Sequence, residues 1–415
     1  KVDTTIYYSQ NHQLKSYNLE SGTRREIKAT LDYEYDINLL NRRVFEQVWA
    51  AFGLNFYDLN MHGQDWNAAF ERYAPYLENV RNTNDLESII DEMIGDVNAS
   101  HTGFYPRQDK TYPYRSQAYL GLEFDYSERL PEGVKVRYVY PGTRLSYLYS
   151  LRPGEIITHI DNHRISSRSP LDSLLIDKIG KPIHLTVQRD STSVEMIVNG
   201  LSWSQSRELW YQDRVEQTKN KVNEASGGRL GYVHIPSMGS EDWTNFQRDL
   251  FRDNADKEAL IIDVRGNTGG RIHDQIISLL IKTPYGYSTS RRYSREKRFE
   301  PSRIWAKPSI VLVDEHSFSD GEIFPIIYQE LKLGKVVGFP SSGAVIGTWE
   351  YDLIDGSSMR MPSTGWYKLD GTNMEGTGAQ PDIVIEHTPN DLVKRNDLQL
   401  QRAIEELLGE LESGE

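Results

Sequence analysis

The apolar period changes three times along this chain. Residues 3–28 alternate in short runs broken by "SQNHQ" and "LESGT", which predicts strand, turn, strand, turn, strand. One such unit cannot bury both faces. It is expected to be the end of a β-propeller blade, or a hairpin docked on the next domain. Residues 37–96 shift to helical spacing. In "NDLESIIDEMIG", Asn84 is placed to cap and Glu87 to close a capping box. Leu86, Ile89, Ile90, Met93 and Ile94 form one stripe, and Gly95 ends it. Ser100 and His101 come just past that helix end. Residues 116–200 return to short strands with Gly/Pro turns. A helix is expected over 205–224. From residue 229, near-continuous apolar strands ("RLGYVHIPSMG", "EALIIDVRG", "PSIVLVDE", "KVVGF") alternate with helical segments. That order predicts a mostly parallel sheet. "LQLQRAIEELLGEL" reads as a closing amphipathic helix.

Composition narrows the classes. A chain of 415 residues can hold two to four domains with sizeable cores. A net charge of −13 argues against a general nucleic-acid binder. The basic stretch "RRYSREKR" (291–298) is expected to be a solvated loop. No apolar run approaches the roughly 20 residues of a membrane span. With no cysteine, disulfides, thiolate metal sites and a Cys nucleophile are excluded. No spacing of His with carboxylates suggests a metal, and no cofactor is expected. The chain opens with Lys-Val and shows no signal peptide, so it is expected to start inside a longer protein or after a cleavage.

Two strand-to-helix turns carry candidate chemistry. In "DEHSFSDGEIFP" (314–325), Ser319 stands between a buried strand and a helix. A serine there is either a helix N-cap or a nucleophile exposed beyond the sheet edge. The motif is not G-x-S-x-G. "DVRGNTGG" (263–270) makes a second such turn, rich in glycine. Turns of this kind hold anions on backbone N–H groups. The P-loop and dinucleotide signatures are absent. A developing oxyanion is the better fit, shared with an N–H beside Ser319, and a plain glycine turn is the alternative.

Two resemblances organise the rest. Leu120-Gly121-Leu122-Glu123-Phe124 and Leu151-Arg152-Pro153-Gly154-Glu155-Ile156-Ile157 resemble the carboxylate-binding loop and the following turn of a PDZ domain. That resemblance implies capture of an extended peptide by strand addition, with Leu120, Gly121 and Leu122 as the binding loop. "LGYVHIPSMG", "ALIIDVRGNTGG", "SFSDGEIFP", "LGKVVGFPSSGAVIG" and "MEGTGAQPDIVIE" occur in that order. They resemble the catalytic half of the tricorn proteases, relatives of the carboxyl-terminal processing proteases. The processing enzymes place a lysine base where this chain has Ala344 in "GFPSSGAV". Tricorn-type enzymes use a His in a Ser-His pair and a Glu before G-x-x-P-D. Here these are Ser100-His101 and Glu375 in "EGTGAQPD". The resemblance implies Ser319 as nucleophile, His101 as general base, and Ser100 with Glu375 as its orienters. It implies oxyanion donors at the N–H groups of Asp320 and Gly270, with Gly269 the rival. Of the ten histidines, His316, His234 and His273 lie nearest in sequence or domain as competitors for the base. Where tricorn proteases carry an acid suited to basic side chains, this chain has Ser288.

The expected fold is multidomain α/β: a propeller remnant (1–32), a helical domain with the catalytic His (33–112), a PDZ-like β domain (113–200), and an α/β sandwich catalytic domain (201–415). The expected activity is a serine-type endopeptidase or oligopeptidase acting on peptides or unfolded polypeptides. The alternatives are a silent PDZ scaffold and a processing protease with another base. The resemblance also implies a homo-oligomer, with no nucleic-acid or membrane partner. It implies a cytoplasmic location, or a periplasmic one if a signal peptide has been removed.

Overall fold

The computed structural model describes residues 4–10, 13–28, 34–107, 115–281, 283–290, 294–301 and 303–414. The boundary read at 112/113 and the first three residues fall outside these. Among the described residues the fold mixes helices and sheets throughout.

The parallel sheet sets the site. Its five strands run in the order Leu230–His234, Ala259–Asp263, Ser309–Val313, Val336–Gly338, Ile383–Val384, all parallel. The near-continuous apolar runs follow from burial on both faces. Leu260, Ile262, Val311 and Val313 enter one core with Ile276, Phe324 and Tyr328. Ile261, Ile310, Leu312 and Val337 enter a second with Val222, Leu400 and Leu407. Helices His273–Leu280 and Asp320–Glu330 cover the first face. Helix Leu398–Ser413 covers the second, as its apolar stripe requires.

Residues 5–26 pair as a three-stranded antiparallel sheet. Residues 122–199 form a separate antiparallel sheet, with Leu122–Asp125 at one edge. The helical region Ile37–Asn55, Trp66–Tyr73 and Thr83–Gly95 has its own core around Phe45, Phe52 and Ile90. That core is completed from far along the chain, by Leu353, Met359 and Met361. The strand of the two methionines, Ser358–Thr364, pairs on one side with Gly347–Asp352 and on the other with Gly103–Tyr105. The hairpin 347–364 therefore packs with the helices rather than with the parallel sheet, a division that a cut at residue 201 misses.

Two local readings need correction. The third helix is capped by Asn82, not Asn84: the Asn82 side chain accepts from the N–H groups of Asn84 and Asp85. Asp85 closes the cap from the other side, accepting from the Arg81 N–H and the Asn82 side chain, so the helix already begins at Thr83. The basic stretch is no loop where it is described. Ser294–Glu300 is a strand paired antiparallel with Gly286–Ser290. Backbone pairing in a two-stranded ribbon needs no apolar face, so charge alone was a poor guide. Residues 291–293 lie outside the described residues.

Candidate active site

Two turns leave adjacent parallel strands and are stitched together. Phe318 N–H donates to the Asn267 carbonyl at 2.8 Å, and Gly266 N–H to Asp314 Oδ1 at 2.8 Å. Asn267 is fully buried; its Nδ2 donates to the Ile235 carbonyl at 2.7 Å and its Oδ1 accepts from Gly269 N–H at 2.8 Å. The glycine turn is thereby fixed against the serine turn. No side chain is tolerated where they touch: a Cβ on Gly269 would lie 2.6 Å from Ser319 Cβ.

Ser319 precedes helix Asp320–Glu330 with φ 56° and ψ −119°. Such a conformation costs a non-glycine residue about 1–3 kcal/mol and persists only when its surroundings impose it. Here Ser319 N–H donates to the Ala344 carbonyl at 2.9 Å and to Glu322 Oε1 at 3.2 Å. Glu322 is fully buried. It also accepts from Ala344 N–H at 2.8 Å, Gly343 N–H at 2.6 Å and the hydroxyls of Ser341 at 2.5 Å and Ser342 at 3.3 Å. One carboxylate thus holds both the serine turn and loop 341–345. The Ser319 hydroxyl makes no capping bond to the helix. The helix start is capped by backbone and by Glu322: Glu322 N–H donates to the Ser319 carbonyl at 2.8 Å, and Glu322 Oε1 accepts from Ser319 N–H.

Two backbone donors flank Ser319. The N–H groups of Asp320 and Gly270 have no hydrogen-bond partner among the described residues. The N–H of Gly269 is taken by Asn267. Met238 N–H donates to the Gly269 carbonyl at 2.8 Å and Arg271 N–H to the Met238 carbonyl at 2.7 Å. This pairing flanks Gly270 and leaves its own N–H turned away from Met238. The Asp320 carboxylate, to which the sequence assigned no role, accepts from Ile272 N–H at 2.7 Å and His273 N–H at 3.1 Å, and contacts His273 Nδ1. It ties the start of one helix to the residues just past Gly270.

His101 reaches this turn from the helical region. Its ring stacks on Phe318, centroids 4.4 Å apart and planes at 16°. Pairing of Gly103–Tyr105 with Ser358–Thr364 brings it there. Ser100 Oγ lies 2.8 Å from His101 Nδ1 and 3.1 Å from Glu375 Oε2. Ser100 N–H donates to Glu375 Oε1 at 2.8 Å. A carboxylate only accepts, so the Ser100 hydroxyl donates to it and accepts from Nδ1–H. The proton then sits on Nδ1, and Nε2 keeps its lone pair. Nε2 is buried, with no hydrogen-bond partner among the described residues. Burial, and secondarily the positive charge of Arg360, push the imidazole down to about 4. Glu375 is held by Val345 N–H at 3.0 Å, and its own N–H donates to Asn373 Oδ1 at 3.0 Å. Asn373 in turn donates to the Tyr57 hydroxyl at 3.2 Å.

The other histidines stand elsewhere. The His316 side chain is 76% exposed and faces Glu315. His234 is buried with both ring nitrogens engaged, by Tyr211 and by Arg265 and Arg214. His273 is buried against Asp320 and the edge of Trp366, not on the surface. Ala344, in the lysine position of the processing enzymes, touches Ser319 through its carbonyl. Gly121 is buried with φ 73°, Leu120 is buried, and Leu122 opens the edge strand of the separate sheet. Ser288 lies exposed on the hairpin strand, opposite Arg298. Among the described residues no group of three or more His, Asp or Glu could hold a metal ion, and no helix is long and apolar enough to cross a membrane.

Comparison with known proteins places the chain in a family. Residues 229–385 match the model of peptidase family S41, and residues 41–95 that of the tricorn protease C1 domain. The chain is 30% identical over 409 residues to putative tricorn protease homolog 2 of Streptomyces coelicolor, covering 95% of this chain and 34% of that protein. It is 29% identical over 384 residues to the tricorn protease of Thermoplasma volcanium, covering 89% and 36%. A crystal structure of the tricorn protease superposes with a TM-score of 0.87 at 25% identity, over 99% of this chain and 41% of that one. The chain spans about a third of the length of these two sequence relatives. It belongs with the tricorn proteases, carrying a peptidase family S41 domain C-terminal to a tricorn C1 domain.

Proposed function

We propose that this chain is the catalytic part of a serine-type endopeptidase or oligopeptidase acting on peptides or unfolded polypeptides. The observation that carries the reading is the relay Glu375–Ser100–His101, ending in a buried, unpartnered Nε2 beside the Ser319 turn. His101 Nε2 removes the Ser319 proton as Oγ attacks the peptide carbonyl carbon. The resulting oxyanion is met by the N–H groups of Gly270 and Asp320. His101 then gives the proton to the leaving amine, and an acyl-serine remains. Water, deprotonated by His101, hydrolyses that ester and restores the serine. Glu375 supports the imidazolium through the Ser100 hydroxyl. These steps are carried by side chains and backbone alone. The edge strand opened by Leu122 offers a place for an extended substrate segment, with Leu120 and Gly121 at its end.

The test is a fluorophosphonate probe followed by peptide mapping. The reading expects label on Ser319 alone, lost in Ser319→Ala and slowed in His101→Ala. Label on another serine, or none beside measurable peptide hydrolysis, would contradict it.

A further inference from the structure

A buried carboxylate beside the nucleophile has no part in the steps above. Asp320 is the first residue of helix Asp320–Glu330, and it is 2% exposed. Its side chain reaches across to the other helix on that face, His273–Leu280, which begins at Ile272 with no side-chain cap of its own. Asp320 Oδ2 caps it from outside, accepting from Ile272 N–H at 2.7 Å and His273 N–H at 3.1 Å. A helix start favours such an anion. Asp320 Oδ1 meets the ring nitrogen Nδ1 of His273. A carboxylate only accepts, so Nδ1–H donates. The imidazole is itself buried, and Trp366 stands edge-on to it, centroids 5.2 Å apart and planes at 87°.

These bonds close a ring around the two N–H groups that the proposed mechanism gives to the oxyanion. One belongs to Asp320 itself. The other, on Gly270, lies two residues before Ile272. Met238 blocks Gly270 on its other side, since a Cβ there would lie 2.1 Å from the Met238 carbonyl oxygen. The Asp320 carboxylate therefore sets how far apart the two donors stand. It keeps its direction only while both of its oxygens are satisfied. Backbone satisfies Oδ2, but among the described residues His273 is the only donor to Oδ1. A buried carboxylate oxygen left without a donor is costly, and the side chain would turn to find another.

We propose that His273 is a positioning residue for the oxyanion site: its Nδ1–H fixes the Asp320 carboxylate, and through it the spacing of the Gly270 and Asp320 N–H groups. This rests on the peptidase reading above. The pair moves no proton in the reaction. Its effect is geometric, and a donor misplaced by about 1 Å can cost about a hundredfold in rate.

The experiment compares His273→Asn, His273→Gln and His273→Ala in peptide hydrolysis, beside inhibition by a peptide aldehyde and by the matching peptide alcohol. The Asn side-chain N–H can stand where Nδ1–H stands, whereas the longer Gln carries its N–H past that place. The aldehyde forms a hemiacetal oxyanion with Ser319, and the alcohol binds without one. His273→Ala and His273→Gln are expected to lose about 10- to 100-fold in kcat with KM within about threefold. Aldehyde affinity should fall by about the same factor and alcohol affinity should not. His273→Asn should stay within about fivefold of wild type. A packing role alone would not produce that split between aldehyde and alcohol. If His273→Ala folds poorly, the Asn and Gln variants decide the matter. Turnover within about threefold of wild type in His273→Gln would overturn the proposal, as would equal losses in Asn and Gln or equal weakening of aldehyde and alcohol. Wild-type protein that neither cleaves peptides nor takes the fluorophosphonate label would instead remove the peptidase reading, and this proposal with it.

Discussion

Gly269 leaves no space for a side chain beside Ser319. A Cβ there would stand 2.6 Å from Ser319 Cβ and 3.2 Å from its Oγ, with φ at 86° besides. Gly269→Ala must therefore displace the serine or the glycine turn. We expect peptide hydrolysis to fall at least about a hundredfold, with a smaller stability loss of roughly 1–3 kcal/mol from the strained φ. Turnover beside a thermal melt checks this. Near-normal activity would mean that the two turns separate freely and do not share an oxyanion site.

Glu322 is the second constraint on the nucleophile. Its buried carboxylate accepts from three backbone N–H groups and two hydroxyls. Glu322→Gln keeps the shape but turns one acceptor into a donor that faces other donors. The cost should be about 1–3 kcal/mol of stability, and kcat should fall more than KM rises, because Ser319 loses part of what imposes its conformation. Urea melts and steady-state kinetics measure both. A loss of stability with unchanged kcat would make Glu322 a loop anchor only.

In the proposed mechanism His101 sets the pH dependence. Burial, then Arg360, lower its pKa from 6.5 to about 4. The neutral, base-competent form therefore dominates well below neutrality, and kcat/KM should rise through an ionisation near 4 and stay level through pH 7. Glu375→Gln removes the negative charge that favours the imidazolium, so this limb should move lower still while kcat drops by about 10² or more. Stability responds with a definite sign. The unfolded chain binds the His101 proton more readily than the native one between about 4 and 6.5. This contribution is fully present above pH 6.5 and is lost as the pH falls toward 4. Urea melts across that window should be steeper in pH for the wild type than for His101→Gln. An unshifted limb with unchanged kcat in Glu375→Gln would leave Glu375 as a turn residue.

The sequence made the parallel strands and their helices legible because each is a local pattern. Ile261 and Leu260 differ only in which covered face they meet, so an unbroken apolar run was sufficient. Ser319 was visible but ambiguous, since a cap and a nucleophile occupy the same place at a strand-to-helix turn. The strained conformation of Ser319 is imposed by Glu322 and Ala344, which sequence presents as a first-turn acid and a loop alanine. The approach of His101 was legible only through resemblance. It depends on Gly103–Tyr105 pairing with Ser358–Thr364 and on Met359 and Met361 joining the helical core. No short-range pattern encodes that pairing. His273 stood only as one of the competing histidines, and its burial against Asp320 needed the fold.

The central claim is that Ser319 and His101 act as one catalytic unit. It is tested most directly by kcat for Ser319→Ala, His101→Ala and the double variant, on one peptide at one pH, with His316→Ala as control. Residues that act together lose their effect together rather than multiplicatively. Each single variant is expected to lose at least roughly a thousandfold, the double about the same, and His316→Ala less than about tenfold. A His101→Ala enzyme within about tenfold of wild type, or losses that multiply in the double variant, would contradict the account.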